Sequence, residues 1–145
     1  MSQPRPATLP LPHEASNHTN PDASAAAGMT ASVPIILHNL LSGIPEPALE
    51  WEPFRDGIEI ARLYRTASPG PVAAFLRYSP GARLERHEHT GFEHILILSG
   101  SQTDDNGEHV AGTLLIHPPG TSHAIVSERG CVVLAFWERP VSFLE

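Results

Sequence analysis

Short apolar segments that end at turn residues constrain the fold of this chain more than any other feature of its sequence. Glycine, proline, asparagine or aspartate fills almost every gap between them, as at Pro118-Pro119-Gly120. Segments of this length and spacing are typical of the strands of a β-sandwich or barrel. We therefore expect an all-β fold. The predicted strands cover residues 33–38, 58–65, 72–78, 92–98, 109–116, 122–127 and 131–137.

The turn residues predict two further local structures. Asn106-Gly107 lies between two alternating segments, which indicates a β-hairpin with a type I′ turn. Residues 39–49 leave room for one helical turn at most, because Pro45 and Pro47 would interrupt a longer helix.

The first 28 residues differ in kind from the rest of the chain. They contain five of the 15 prolines and six alanines, but no Phe, Trp, Tyr, Ile or Val. Such a segment buries too little apolar surface to offset the entropy of ordering it, and it has no apolar stretch typical of a signal peptide. We predict a disordered tail over residues 1–28 and a single domain over residues 29–145, with Met29 as an alternative start.

Composition excludes several classes of function. The 16 acidic residues outnumber the nine basic residues, so the net charge of −7 argues against nucleic-acid binding. No apolar run is long enough to span a membrane. The single cysteine, Cys131, cannot form an internal disulfide or a CxxC site, and we interpret it as a small buried residue of the last strand. Since nothing requires an oxidising compartment, we expect a cytoplasmic protein.

Four residues of the metal-ligand type follow a spacing that brings them together. His87 and His89 are two residues apart, so they point to the same face of an extended strand, and Glu93 shares their parity. His123 follows on a later strand that is expected to lie opposite. Three imidazoles and one carboxylate suit Fe, Mn, Ni, Cu or Zn. We predict one divalent transition metal per chain, Fe or Zn foremost, with an affinity that falls as the pH drops through about 6.5 and below.

The coordination number separates two kinds of site. Four protein ligands leave an octahedral ion two positions for water or substrate, whereas a tetrahedral zinc would be closed and structural. The remaining histidines of the domain are interpreted as non-ligands. His94 adjoins Glu93 and so points to the other face, and His38, His109 and His117 are solitary histidines of the kind usually found at surfaces or in satisfied cores.

Two sets of residues at fixed spacings resemble the two sequence motifs of cupins. They are Gly81-x5-His87-x-His89-x3-Glu93-x6-Gly100, over residues 81–100, and Gly112-x5-Pro118-x-Gly120-x2-His123, within residues 112–127. Ser127 stands where the second motif usually ends on Asn. Residues 77–82, 118–124 and 127–131, together with Trp51-x-Pro53, look like the cupin domain of ChrR-type anti-sigma factors.

The resemblance implies a double-stranded β-helix, the jelly-roll barrel of cupins, with the metal held by His87, His89, Glu93 and His123. ChrR-type proteins also have a helical domain with an HxxxCxxC zinc site that holds the sigma factor. The present sequence contains no such motif, so we do not expect it to inhibit a sigma factor in that manner. Other relatives are dioxygenases that cleave acetylacetone or dihydroxyacetophenone with Fe(II).

Three functions stay open at this point. The first is an Fe(II)-dependent dioxygenase that cleaves a small oxygenated substrate of the diketone or hydroxyketone type. The second is a ligand- or stress-sensing regulatory cupin that binds zinc and acts through a partner protein. The third is a structural metal site without catalysis. The first two require a small-molecule substrate or ligand.

The segment 92–98 also predicts an interface. It is apolar on both faces, which a sheet with one solvent-facing side does not tolerate. A partner subunit would cover the outer face, so we predict a homodimer, unless the N-terminal segment supplies the cover instead.

Overall fold

The structure is a computed structural model that describes residues 33–44, 49–67 and 70–145. The predicted tail over residues 1–28 lies outside the described residues, as does the start of the predicted domain. Apart from one 3₁₀ turn at Leu40–Ser42, the regular structure of the described part is β-strand. None of its helical structure is long and apolar enough to cross a membrane.

The described residues form ten strands, and every pairing between them is antiparallel. In chain order they are β1 (Glu52–Arg55), β2 (Ile58–Arg65), β3 (Val72–Tyr78), β4 (Ala82–Glu88), β5 (Glu93–Asp104), β6 (Gly107–Val110), β7 (Leu114–His117), β8 (Ser122–Ser127), β9 (Cys131–Trp137) and β10 (Ser142–Phe143). The predicted all-β fold class is confirmed.

The strands form a curled sheet in the order β1-β2-β3-β9-β5-β8-β4-β10, with β6 and β7 also paired to β5. The long strand β5 belongs to both halves of the curl. Its first part pairs with β7 and β9, and residues 101–104 pair with β6 and β8. The two halves therefore face each other across one interior, which is the jelly-roll arrangement that the sequence predicts.

A bend at Gly100 allows β5 to pass from one half to the other. The register between β5 and β9 shifts between Ile97 and Ser99, and Gly100 has a φ of +70°. A Cβ atom at Gly100 would lie 2.1 Å from the carbonyl oxygen of Gly130. Both the backbone conformation and the close approach therefore require glycine at this position.

Two apolar clusters hold the sheet together. The first fills the interior between the two halves and includes Ile58, Ile60, Leu76, Ile97 and Val133, all at most 2% exposed. The second lies on the outer face of the sheet, where partly buried residues pack over Ala61, Phe75 and Leu98. These covering residues are Leu37, Leu40, Ile44, Leu49, Trp51, Leu63, Leu96, Val132 and Leu134.

The second cluster bears on the predicted homodimer. Residues from the N-terminal part of the described chain supply the cover over the outer face of β5, which is the alternative that the prediction allowed; they are Leu37, Leu40, Ile44, Leu49 and Trp51. An apolar strip beside it stays open, because Phe92, Leu114 and Ile116 are each about half exposed, at 45%, 56% and 53%. The homodimer stays a prediction, and this strip is the surface that we expect it to bury.

Four predicted strands have the same bounds in the structure: 58–65, 72–78, 122–127 and 131–137. The predicted strand 92–98 lies within β5 except for its first residue. The helical turn within residues 39–49 is confirmed by the 3₁₀ turn. Residues 33–38 are not a strand, because Leu37 packs against the outer face while Val33 and Ile36 are 65% and 68% exposed, and no described strand pairs with them.

The predicted strand 109–116 is two strands. Gly112, with a φ of +89°, turns the chain between β6 and β7, which pair with the two different parts of β5. The predicted β-hairpin, which joins β5 to β6, is present, but the prediction of a type I′ turn is wrong. Asp105 and Asn106 form the loop, only Gly107 has a positive φ, and the side chain of Asp104 accepts the N–H of Asn106 at 2.7 Å.

Candidate metal centre

All four predicted ligand residues lie together in the interior, at one end of the curled sheet. His87 in β4 and His123 in β8 are directly opposite each other in the pairing of these two strands. His89 follows the end of β4, and Glu93 is the first residue of β5. All four are buried, with no more than 3% of each residue exposed.

The polar atoms of these side chains converge on one point. His89 Nε2 lies 2.9 Å from Glu93 Oε2, and His123 Nε2 lies 3.0 Å from His87 Nε2 and 3.6 Å from Glu93 Oε2. One ligand atom from each residue fits within a group whose members are no more than 4.8 Å apart. The sequence prediction that these residues lie together is therefore met by the structure.

The other ring nitrogens of His87 and His89 are held by the protein. His87 Nδ1 lies 2.9 Å from the carbonyl oxygen of Glu85, which only accepts hydrogen bonds. His89 Nδ1 lies 2.9 Å from Thr121 Oγ1, and that hydroxyl donates its own hydrogen to the carbonyl oxygen of Pro118 at 2.7 Å. Both Nδ1 atoms must therefore donate, which leaves each Nε2 without a hydrogen in the neutral ring.

His123 has the same arrangement through a carboxylate. Its Nδ1 donates to Asp104 Oδ2 at 3.1 Å, and the second oxygen of Asp104 accepts from His109 Nε2 at 2.9 Å and from the N–H of Asn106 at 2.7 Å. These bonds hold the pKa of Asp104 down at about 2, although its burial acts to raise the value. The carboxylate thus stays charged and keeps His123 in the tautomer that directs a bare Nε2 into the centre.

Glu93 also divides its two oxygens between the protein and the centre. Oε1 accepts a hydrogen bond from Trp137 Nε1 at 2.6 Å, while Oε2 is turned toward the histidines. Burial by itself would raise the pKa of Glu93, but the neighbouring His89 and, more weakly, His123 and His87 lower it overall. Glu93 is therefore ionised at neutral pH.

The donor set fits a cation. Three bare Nε2 atoms and one carboxylate oxygen face each other, and the tautomers leave no hydrogen between His87 Nε2 and His123 Nε2 at 3.0 Å. His89 Nε2 and Glu93 Oε2 are buried without a hydrogen-bond partner. Lone pairs held this close repel unless a positive ion lies among them, and such unsatisfied buried groups otherwise cost free energy.

The pKa shifts of the histidines favour neutral rings. Burial lowers the pKa of His87, and it lowers that of His123 to about 4, against the opposing effects of Asp104 and Glu93. Neutral imidazole is the form that binds metal. The polypeptide therefore holds at least these two rings ready for coordination at neutral pH.

A cavity of about 300 Å³ lies against one side of the centre. Trp137 and Phe143 line it, and both side chains also contact residues of the centre. Trp137 donates to Glu93, and the ring centroid of Phe143 lies 5.6 Å from that of His87. The full lining is Phe54, Ile60, Arg62, Arg65, Thr66, Gly70, Val72, Trp137, Pro140, Val141 and Phe143.

Two histidines interpreted as solitary are neighbours of the centre. The ring of His117 stacks on His89 with centroids 4.8 Å apart and meets His123 edge-on at 4.3 Å, and His109 supports Asp104. His117, Asp104 and His123 form a second group of ligand-type atoms, but within it Asp104 already accepts the hydrogen bond of His123 Nδ1. The first group is therefore the better candidate.

Sequence reasoning also missed the supporting residues. Thr121 lies inside the second motif, where a hydroxyl two residues before His123 was the available signal. Asp104 and Trp137 contact the centre through strand pairing over long separations, and no local pattern marks them. His94 points to the opposite face from Glu93, edge-on to Phe136 at 5.9 Å, in keeping with the alternation along the strand.

Comparison with protein families gives one match over most of the described chain. A profile described as the ChrR cupin-like domain matches residues 44–139. No curated protein matches the chain at a significant level.

Solved structures share the fold. A structure of Rhodobacter sphaeroides SigE in complex with the anti-sigma ChrR matches with 27% identity and a TM-score of 0.55, over 61% of this chain and 48% of that chain. A candidate acetylacetone dioxygenase from Methylibium petroleiphilum matches with 16% identity and a TM-score of 0.63, over 68% and 76%. The polyketide cyclase RemF from Streptomyces resistomycificus matches with 22% identity and a TM-score of 0.59, over 70% and 84%.

These likenesses differ in what they show. The protein spans about half of the matched chain in the SigE–ChrR structure. The dioxygenase and the cyclase are under 25% identical to it, so they establish the fold and leave the chemistry to be argued from the centre itself.

Proposed function

The chain belongs to the ChrR cupin-like family, and we propose that it binds one divalent transition metal through His87, His89, Glu93 and His123 and acts as a metal-dependent dioxygenase. The proposed metal is Fe(II), and the proposed substrate is a small oxygenated molecule of the diketone or hydroxyketone type. Zn, Mn, Ni and Cu suit the same donor set.

One observation carries the metal-binding proposal. Each of the three histidines uses Nδ1 to donate to the protein, so three bare Nε2 atoms and Glu93 Oε2 face one another in a buried site. A hydrogen-bonded polar cluster would place a hydrogen between each close pair. Here the tautomers place none, which is the arrangement of preorganised metal ligands.

The neighbouring cavity favours an enzyme over a closed structural site. It is mostly apolar, and its size falls at the lower end of the range of small-molecule pockets. Iron bound among the four side chains would supply Lewis-acid and redox chemistry toward a substrate and dioxygen. Glu93 and the histidines would hold the ion, Trp137 would fix the Glu93 carboxylate, and the apolar walls would exclude bulk water.

A regulatory zinc protein is the second candidate function. The likeness to the SigE–ChrR structure, at 27% identity, favours it, since that structure contains an anti-sigma factor. In this case the cavity would hold an effector and a partner protein would respond to it. A structural metal is the third possibility, and it predicts that the cavity binds no small molecule. The homodimer and the cytoplasmic location stay predictions under all three.

Oxygen uptake by iron-loaded protein tests the enzymatic proposal. We expect the protein reconstituted with Fe(II) to consume dioxygen in the presence of 2,4-pentanedione or a related diketone. We expect no uptake from zinc-loaded protein or from the His87→Ala variant. The His94→Ala variant is the matched control, because His94 lies on the opposite face of β5. Full iron occupancy without uptake on a panel of diketones and hydroxyketones would favour the regulatory function.

A further inference from the structure

Two arginines from one strand lie at the cavity beside the centre, Arg62 partly buried and Arg65 exposed at its rim. Arg62 and Arg65 both line it, although residues three apart in a regular strand point to opposite faces. The register of β2 with β3 explains this, because it shifts between Arg62 and Tyr64. Arg62 is paired with Ala74 and Arg65 with Val72, two positions on the same face of β3. A β-bulge therefore places both arginines on the side of β2 that lines the cavity.

Among the described residues, one of these two arginines has no ion-pair partner. Glu52 in β1 forms an ion pair with Arg62, and no carboxylate of the described residues pairs with Arg65. Burial first, and the charge of Arg65 second, lower the pKa of Arg62. One net positive charge therefore lies at an apolar cavity in a chain whose net charge is −7.

The rest of the lining restricts the ligand. Most of the remaining side chains are apolar, among them Phe54, Ile60, Val72 and Val141. A sugar or a phosphorylated metabolite would leave its hydroxyl groups without partners on such walls. A small apolar body fits them, and a guanidinium group matches the planar shape of a carboxylate with two parallel hydrogen bonds.

We propose that this cavity binds a small carboxylic acid with an apolar body, whose carboxylate pairs with Arg65 and Arg62 and whose other end faces Trp137 and Phe143. Those two side chains are the wall shared with His87 and Glu93. The inference deepens the proposed function and rests on it in one respect, since it narrows the proposed oxygenated substrate to one that also carries a carboxylate, for example an oxo acid. The binding site itself is built from residues outside the proposed ligand set.

Calorimetric titration of the full chain with matched acids and amides tests the proposal. The probes are benzoate and phenylacetate, each compared with its neutral primary amide, in metal-free and metal-loaded protein. We expect the acids to bind in both forms and at least tenfold more tightly than the amides. We expect Arg65→Gln to weaken acid binding about tenfold or more, with no change in metal content. Arg83→Gln is the control, because the Arg83 side chain is 75% exposed and lies outside the cavity lining.

The outcomes separate this inference from the proposed function. Binding of the acids that depends on Arg65, in a protein that takes up no metal when loading is attempted, would support the cavity site and overturn the metal proposal. Binding that requires the metal and is unchanged in Arg65→Gln would place the carboxylate on the metal and overturn the cavity site. Equal affinity for acids and amides, or no binding of any probe, would also overturn it.

Discussion

Each of the three histidines divides its two ring nitrogens between the protein and the centre. The strand alternation predicts which side chains converge, because His87, His89 and Glu93 have the same parity. It does not predict the tautomers, which depend on a carbonyl, a hydroxyl and a carboxylate that lie elsewhere in the sequence. Those contacts form only when β4, β5 and β8 pair, so no local sequence pattern contains them.

Asp104, which accepts the hydrogen bond of His123 Nδ1, offers a test of these supporting contacts. We expect Asp104→Asn to weaken metal binding about 10- to 100-fold, because the amide no longer supplies a charged acceptor that fixes His123. Metal-competition titration with a chromogenic chelator measures the change. Asp105→Asn is the matched control, since its exposed carboxylate pairs with Arg86 instead. Equal affinities for Asp104→Asn and the native protein would show that His123 is oriented by packing alone.

The histidine pKa values predict how metal binding responds to acid. Burial lowers the pKa of His87, and that of His123 to about 4, so these rings stay neutral as the pH falls through the usual imidazole value of about 6.5. Protons compete with the metal for His87 and His123 only nearer these lowered values. We therefore expect a nearly constant dissociation constant from pH 8 to 6.5 and a steep rise toward pH 4.

The same shifts set the sign of the stability change in metal-free protein. The unfolded chain binds protons at these histidines below about pH 6.5 and the folded chain does not, so the free energy of unfolding should decrease as the pH falls from 7 to 5. Urea unfolding at a series of pH values measures it, beside metal retention after dialysis at each pH. Equal retention at pH 8 and pH 4 would contradict a site made of three imidazoles.

At the scale of elements, patterns of apolar residues predict the strands of the core but not the strands that are rich in charged residues. Residues 58–65, 72–78, 122–127 and 131–137 are apolar enough to be recognised, and all four form strands with those bounds. Polar and charged residues make up most of β4 and half of β1, because much of their surface faces solvent. Residues 33–38 show the opposite error, since an apolar segment can cover a sheet without pairing with it.

The bend of β5 gives a prediction at this scale. We expect Gly100→Ala to lower the free energy of unfolding by about 2–4 kcal/mol, through its positive φ and the 2.1 Å approach to the carbonyl of Gly130. Gly112→Ala has the same kind of φ, at +89°, with nothing within 4 Å of the added methyl group. Gly112→Ala should lower the free energy of unfolding by about 1 kcal/mol, because only the positive φ opposes the substitution. Urea denaturation compares the two, and equal losses would show that the contact with Gly130 relaxes freely.

At the scale of the whole molecule, the open strip formed by Phe92, Leu114 and Ile116 concerns assembly. We predict a homodimer that buries this strip, because β7 pairs with β5 along one edge and no other described strand pairs with it. Light scattering at micromolar concentration should give twice the chain mass. Ile116→Asp should give a monomer, whereas Leu41→Asp should not, although Leu41 is 83% exposed, because Leu41 belongs to the 3₁₀ turn and not to the strip. A monomeric native protein would leave the strip as ordinary surface.

The metal content of the protein tests the central claim most directly. The protein should be purified without added metal and without a histidine-chelating resin, and Fe, Mn, Ni, Cu and Zn quantified together. We predict about one transition metal ion per chain in the native protein and in His94→Ala, and less than about a tenth of that in His89→Ala. No metal in the native protein, or equal metal in His89→Ala, would contradict a centre made of His87, His89, Glu93 and His123.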